Sequence, residues 1–161
     1  MSNVIHASHL TLTYGKAGKE VIKDANFSIK KGEFVFITGP SGSGKSTLLK
    51  ALYGKLRPSE GNLVVGGLDL SNVSQRKLQE LRTHMGIIFQ DYKLVNEWTV
   101  KKNVVLPLMI AGYDSEIQDT QARRLLKHVK LPEHADKYPL ELSGGEQQRV
   151  GVASCLLYTS P

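Results

Sequence analysis

Cysteine is almost missing from this chain: one residue, Cys155, stands among 161. A lone cysteine excludes an internal disulfide. The opening "MSNVIHASHLTLTYG" lacks the basic-then-apolar layout of a secretory leader, so the two absences together predict a cytosolic protein. Long hydrophobic runs are missing too. The longest, "VVLPLMIAGY" from Val104, is interrupted by Pro107 and is far shorter than the roughly 20 residues of a membrane span. Blocks of one charge sign are also absent. The net charge of +6 is spread over dispersed Lys and Arg, which fits a nucleic acid, an acidic membrane surface, a polyphosphate ligand or a plain solvated basic face. There is no internal repeat, low-complexity tract or long linker. With 40% hydrophobic residues, one globular core is the expectation.

What is present has the texture of alternating strands and helices. "HLTLTYG" sets Leu10, Leu12 and Tyr14 against Thr11 and Thr13, the two-residue period of a half-buried strand, and "VIKDANFSI" follows as a second, less regular one. "GEFVFITG" carries an unbroken apolar run, Phe34 to Ile37, between glycines, which predicts a strand buried on both faces in a parallel sheet. Leu48, Leu49, Leu52 and Leu56 then recur at helical spacing. "RPSEG" reads as a turn, "NLVVGGLDL" as a short strand pair, "SQRKLQELR" as a helix with Ser74 as N-cap, and "MGIIFQ" as another short buried strand. Beyond Gln90 the pattern becomes helical. Thr99 is placed to cap "VKKNVVLPLMIAG", and "SEIQDTQARRLLKHVKL" carries Ile117, Leu125, Leu126 and Val129 as its apolar face.

The strongest chemical signal is "GPSGSGKST", comprising Gly39, Pro40, Ser41, Gly42, Ser43, Gly44, Lys45, Ser46 and Thr47. It fits G-x-x-x-x-G-K-[ST] in the context that pattern needs, a buried strand before it and an apolar-periodic helix after it. Glycines let the backbone curl until successive N–H groups point inward, and the following helix adds its positive end, so the loop cradles a polyphosphate. Lys45 would reach the β and γ phosphates, and the Ser46 hydroxyl would ligate Mg²⁺. A second glycine turn, Ser143-Gly144-Gly145, opens a helix running through Arg149 and Val152. Spacing alone leaves two readings of it, an ordinary capped helix or a second anion-seeking helix end.

"LSGGEQQR" together with "GPSGSGKST", in that order and with "FQD" between them, resembles the ATP-binding cassette family, as its signature motif and its Walker A loop; the match runs from about Val4 to Ala153. The resemblance implies an α/β P-loop NTPase fold of the ABC type: an N-terminal β subdomain, a partial RecA-like core and an α-helical subdomain, incomplete at the C-terminus. It divides the chain at about 1–90 for the β subdomain and phosphate-loop core, about 91–142 for the helical subdomain, and 142–153 for the signature motif and its helix. It also implies ATP and Mg²⁺ as cofactors. By position, Tyr14 is the aromatic that stacks on adenine, although its register with Leu10 and Leu12 equally fits a strand-edge core residue. Gln90 is the Q-loop residue touching Mg²⁺ and the attacking water, which makes Ser46 and Gln90 the metal contacts and Lys45 and Gln90 the catalytic ones. Ser143, Gly144, Gly145, Glu146 and Gln147 act in trans, capping the γ-phosphate held by a second cassette in a head-to-tail homodimer.

Within the family, "MGIIFQDYKLVNEWTVKKNVVLPLMIAG" and "LSGGEQQRVGVA" are most similar to the cell-division cassettes typified by the FtsE–FtsX pair, with lipoprotein-releasing and macrolide-exporter cassettes as the alternative. That similarity implies an integral membrane permease-like partner, an FtsX-like subunit, docked on the helical segment that includes Trp98. It also implies residence at the cytoplasmic face of the inner membrane. A DNA-associated cassette is the other class considered. The short interval from Gln90 to Ser143, without sustained heptads, argues against the chromosome-organising kind, and no nucleic-acid partner is expected. The family's second Asp-Glu strand, D-loop and switch histidine have no counterpart here, since no Asp or Glu follows Glu146. From Ser154 the sequence "SCLLYTSP" departs from the family pattern, so residues 154–161 are expected to be a non-native tail on a fragment that binds ATP without hydrolysing it and folds marginally.

Overall fold

The computed structural model describes residues 3–13 and 18–159. Two compact units divide the chain, Met1–Thr83 and His84–Pro161, and each is built around its own hydrophobic residues.

The first unit is an antiparallel sheet with two helices. Strand β1 (Asn3–Thr13) lies between β2 (Glu20–Lys30) and β3 (Glu60–Val65), and β4 (Leu68–Asp69) closes a tight hairpin on β3 through Gly66 and Gly67, giving the order β2-β1-β3-β4. The alternation in "HLTLT" is realised in part: Leu10 and Leu12 are fully buried, but so is Thr11 between them. The pairing is bulged around these residues, with register shifts between Ala7 and Leu10 and between Leu10 and Leu12. His9 sits at the bulge with φ +49°, and a bulge of this kind breaks strict two-residue alternation. Gly61 on β3 lets the strands close there, because a Cβ at that position would fall 2.1 Å from the His9 carbonyl oxygen. Helix α1 (Lys45–Leu52) packs on β1 and β2. Helix α2 (Gln75–Thr83) starts as expected at Ser74, whose carbonyl accepts the Leu78 N–H at 3.0 Å.

Two expected strands do not form. Residues 33–39 have no regular structure, and the apolar run is laid open, with Phe34 84% and Phe36 78% exposed. Their rings meet edge to face at 4.9 Å between centroids. Residues 85–89, "MGIIF", likewise form no strand. The reason is the same for both. A strand of a parallel sheet exists only where neighbouring strands take up its backbone hydrogen bonds, and no described strand pairs with either segment. The only sheet among the described residues is the antiparallel one.

The second unit is helical. Helices α3 (Val100–Ile110), α4 (Ser115–His128) and α5 (Gly144–Thr159) enclose one cluster made of Val100, Val104, Leu125, Leu126, Val129, Leu131, Leu142, Val150 and Ala153. Thr99 caps α3 as predicted, its hydroxyl accepting the Lys102 N–H at 3.2 Å. The two N–H groups nearest the start of α3 donate to the Lys137 and Ala135 carbonyls at 2.8 and 2.9 Å, so the helix end is saturated. Asn103, buried to 4% exposure, staples the loop before α3. Its oxygen accepts the Val95 N–H, and its amide lies within 3.1 Å of the carbonyls of Val95, Trp98 and Thr99. Ile117, expected on the apolar face of α4, is exposed instead. At about 100° per residue it lies roughly 130° from the middle of the stripe formed by Ala122, Leu125, Leu126 and Val129. Helix α5 runs unbroken from the signature turn past Ser154, and Leu156 and Leu157 rest against the cluster. No described helix is long and apolar enough to cross a membrane.

Candidate functional site: the phosphate loop and the signature turn

In the first unit, residues 39–47 wrap the N-terminal end of α1. Gly44 precedes the helix in the left-handed conformation, φ +94°. A Cβ there would press within 3.1 Å of Val21 and Ile22 side-chain carbons and 3.2 Å of the Val21 carbonyl oxygen. Only glycine satisfies both the angle and the approach. The loop is closed by the Ser43 N–H donating to the Pro40 carbonyl at 3.3 Å. Lys45 folds back across it, its ammonium donating to the Gly39 and Pro40 carbonyls at 2.8 and 2.7 Å. The cation is thus held over a concave backbone at a positive helix end, the arrangement that takes a polyphosphate. Ser41, Gly42, Ser43 and Ser46 are exposed and Thr47 is buried. No cluster of three or more His, Cys, Asp or Glu able to cage a metal exists among the described residues. The Ser46 hydroxyl is an exposed oxygen donor at the helix end.

Gln90 and the signature turn belong to the second unit. Gln90 is exposed, in a turn where the Tyr92 N–H donates to the Phe89 carbonyl at 3.1 Å. Tyr92 and Lys93 both take left-handed backbone angles, φ +53° and +50°, an uncommon choice for residues with a Cβ. The Lys93 ammonium pairs with the Asp91 carboxylate beside it. Tyr92 lies against α5 at Gly151, where an added Cβ would meet the Tyr92 Cβ and carbonyl oxygen at 3.9 Å. Tyr14 lies outside the described residues.

At the signature turn Ser143 precedes α5, and Glu146 folds back onto it. The Glu146 Oε2 accepts both the N–H and the hydroxyl of Ser143 at 2.8 Å, while the Glu146 N–H approaches the Ser143 Oγ at 3.4 Å. The pattern is a reciprocal capping box, and its S-x-x-E spelling was legible in Ser143-Gly144-Gly145-Glu146. The other carboxylate oxygen lies 3.4 Å from His134 Nε2. The Ser143 hydroxyl, then the Ser143 N–H, hold the Glu146 carboxyl below its ordinary range against the opposing effect of desolvation, with smaller help from His134 and Arg149. Gln147 turns the other way, its amide donating to the Pro139 and Leu142 carbonyls at 3.0 and 3.2 Å, so it braces the turn. Gly144 and Gly145 are exposed, at an end where the first helical N–H groups have no intrahelical partner. His134 and Asn103 carried no signal in the sequence: neither stands in a motif, and their partners are 12 and 4 to 8 residues away.

Residues 22–161 match the family described as ABC transporter. The chain belongs to the ABC transporter family of ATP-binding proteins, and its fold is that of the cassette, represented here in part. It is 40% identical to the ABC transporter ATP-binding protein YtrE of Bacillus subtilis, over 98% of this chain and 70% of that protein. It is 39% identical to the cell division ATP-binding protein FtsE of Escherichia coli K12, over 96% of this chain and 69% of that protein. The methionine import ATP-binding protein MetN of Carboxydothermus hydrogenoformans is 40% identical over 95% of this chain but only 46% of its own length. Among solved structures, the dimeric cassette MJ0796 bound to ADP and Pi superposes with a TM-score of 0.87 at 34% identity, covering 98% of this chain and 70% of that one. The cbiO1 subunit of the Clostridium perfringens cbiONQ transporter gives 0.84 at 28% identity, covering 98% and 62%.

Proposed function

We propose that this chain is the ATP-binding part of an FtsE–FtsX-like complex of bacterial cell division, coupling ATP binding and hydrolysis to an integral membrane partner at the cytoplasmic face of the inner membrane. The observation that carries the nucleotide-binding reading is the Lys45 ammonium, held over the Gly39 and Pro40 carbonyls at the N-terminal end of α1. Polyphosphate oxygens compete for that cation and for the helix-end N–H groups, while Ser46 and Gln90 contact Mg²⁺. Tyr14 stacks on adenine. Ser143, Gly144 and Gly145 serve the nucleotide of a second cassette, placing a helix end where negative charge sits only when the dimer closes. The similarity of "LSGGEQQRVGVA" to the cell-division cassettes supports the choice of partner, whereas the lipoprotein-releasing and macrolide-exporter type is the second assignment within the family.

Equilibrium titration with ATP tests the phosphate-loop reading. The expected result is saturable Mg²⁺-dependent binding, weakened at least tenfold by Lys45→Ala. Binding indifferent to Lys45→Ala removes that reading. Co-purification with an FtsX-like membrane subunit, against a macrolide-exporter permease as the comparison, decides the partner.

A further inference from the structure

His134 ends a short 3-10 turn, Pro132–His134, and its ring is oddly placed. Nδ1 is buried without a hydrogen-bond partner among the described residues. A buried nitrogen left unbonded works against stability, so packing alone does not explain a histidine here. Its other edge supplies a reason. Nε2 faces Glu146 Oε1 across 3.4 Å, longer than the usual span of about 2.7–3.2 Å for an N–H···O bond. The opposite oxygen of the same carboxylate is held tightly by the Ser143 N–H and O–H, both at 2.8 Å. Glu146 therefore stands between two donor sets, close on one and slack on the other.

We propose that Glu146 and His134 form a two-position latch on the signature turn. In the free chain the carboxylate closes off Ser143; when a phosphoryl oxygen of a second copy's nucleotide takes the Ser143 hydroxyl, the carboxylate swings onto His134 Nε2. The inference rests on the reading above that this turn caps a nucleotide in trans. Its physical content is a competition between two anions. Ser143 has a single hydroxyl proton, and a carboxylate and a phosphate cannot both accept it. The carboxylate also sits at the positive end of α5, so it repels an incoming phosphate until it moves. The imidazole tautomer with its proton on Nε2 suits the receiving role and leaves Nδ1 as a bare lone pair, so the device works with a neutral ring. Arg149, one turn along α5, is a cation that also acts on Glu146. Glu146 is then a gate and His134 a positioning residue that acts through it.

Mg²⁺-ATP-driven dimerisation of the full chain, followed by sedimentation velocity, tests the latch in Glu146→Gln, His134→Ala and the double variant, with thermal midpoints measured on the same samples. Removing the charge is expected to tighten the ATP-dependent dimer about two- to fivefold, the span that corresponds to a helix-end charge. His134→Ala is expected to weaken it by a similar factor and to do nothing further once Glu146 is Gln. In the nucleotide-free chain the Ser143 amide resonance is expected to shift in Glu146→Ala and to stay in place in His134→Ala. A dimer insensitive to both substitutions, an effect of His134→Ala that persists in the double variant, or a Ser143 amide unmoved by Glu146→Ala overturns the latch alone. Failure of every variant to dimerise with ATP overturns the in-trans reading and the latch with it, whereas dimerisation of Glu146→Gln where the parent chain stays monomeric supports both.

Discussion

Lys45 and Glu146 meet the same physical demand from opposite signs of charge. Each is an ionic group at a helix end that binds a nearby backbone carbonyl or hydroxyl, and under the proposed function each releases that partner to a phosphate. For Glu146 the consequence extends to stability. Its folded carboxyl titrates below the ordinary value of 4.5. The stabilisation is therefore complete above that pH and is lost as pH falls through the lower, folded value. Thermal midpoints measured from pH 7 down to pH 3 are expected to drop less steeply below 4.5 in Glu146→Gln than in the parent chain; parallel curves would mean the capping box contributes nothing. Asn103 is the second residue on which much depends. Asn103→Leu keeps the approximate volume but strands the Val95 N–H and the Trp98 carbonyl, while the Val95 and Thr99 carbonyls keep the Trp98 and residue-103 backbone N–H groups. Since each unmet buried group costs about 1–3 kcal/mol, a loss of at least about 2 kcal/mol in denaturant unfolding is expected. The left-handed turn at Gly44 and the helix start at Lys45 were readable because their geometry is local. The roles of Asn103 and His134 were not, because a side chain's partners depend on how the chain returns to it.

At the scale of elements, caps announced themselves while burial did not. Ser74, Thr99 and Ser143 each start a helix where expected, since a cap acts within three residues of itself. Helix α3 runs from Val100 to Ile110 through Pro107, as expected of the segment that Thr99 caps. Ile117 is the failure, an apolar residue counted with a stripe from which it points away. Gly151 lies inside α5 with ordinary room for a methyl group, 3.9 Å from the nearest Tyr92 atoms. Gly151→Ala is expected to stabilise the second unit by about 0.5–1 kcal/mol, the usual difference between glycine and alanine within a helix. A fall in the unfolding midpoint would show that Tyr92, with its left-handed backbone, cannot give way there.

Across the whole molecule, charge and apolar surface are distributed in ways that totals conceal. The first unit carries twelve Lys and Arg against six Asp and Glu, while the second carries nine of each. The entire net charge of +6 thus lies in the unit that holds the glycine loop; under the proposed function that field draws in an anionic nucleotide. The open segment at Phe34 to Ile37 is the largest departure from expectation. An exposed apolar stretch with unpaired backbone is a template for association between chains. Phe34→Ser with Phe36→Ser is expected to reduce nucleotide-free self-association in sedimentation velocity severalfold while leaving the thermal midpoint within about 2 °C, since both rings make few contacts that folding creates. A large drop in midpoint would show that the segment is packed in solution. Sequence alone determined the features whose physics is local: the glycine turn into α1, the helix caps and the hairpin at Gly66-Gly67. Tertiary structure decided whatever needs a distant partner. An apolar run becomes a buried strand only where other strands accept its backbone, and Glu146 becomes a gate only because the chain brings His134 back beside Ser143.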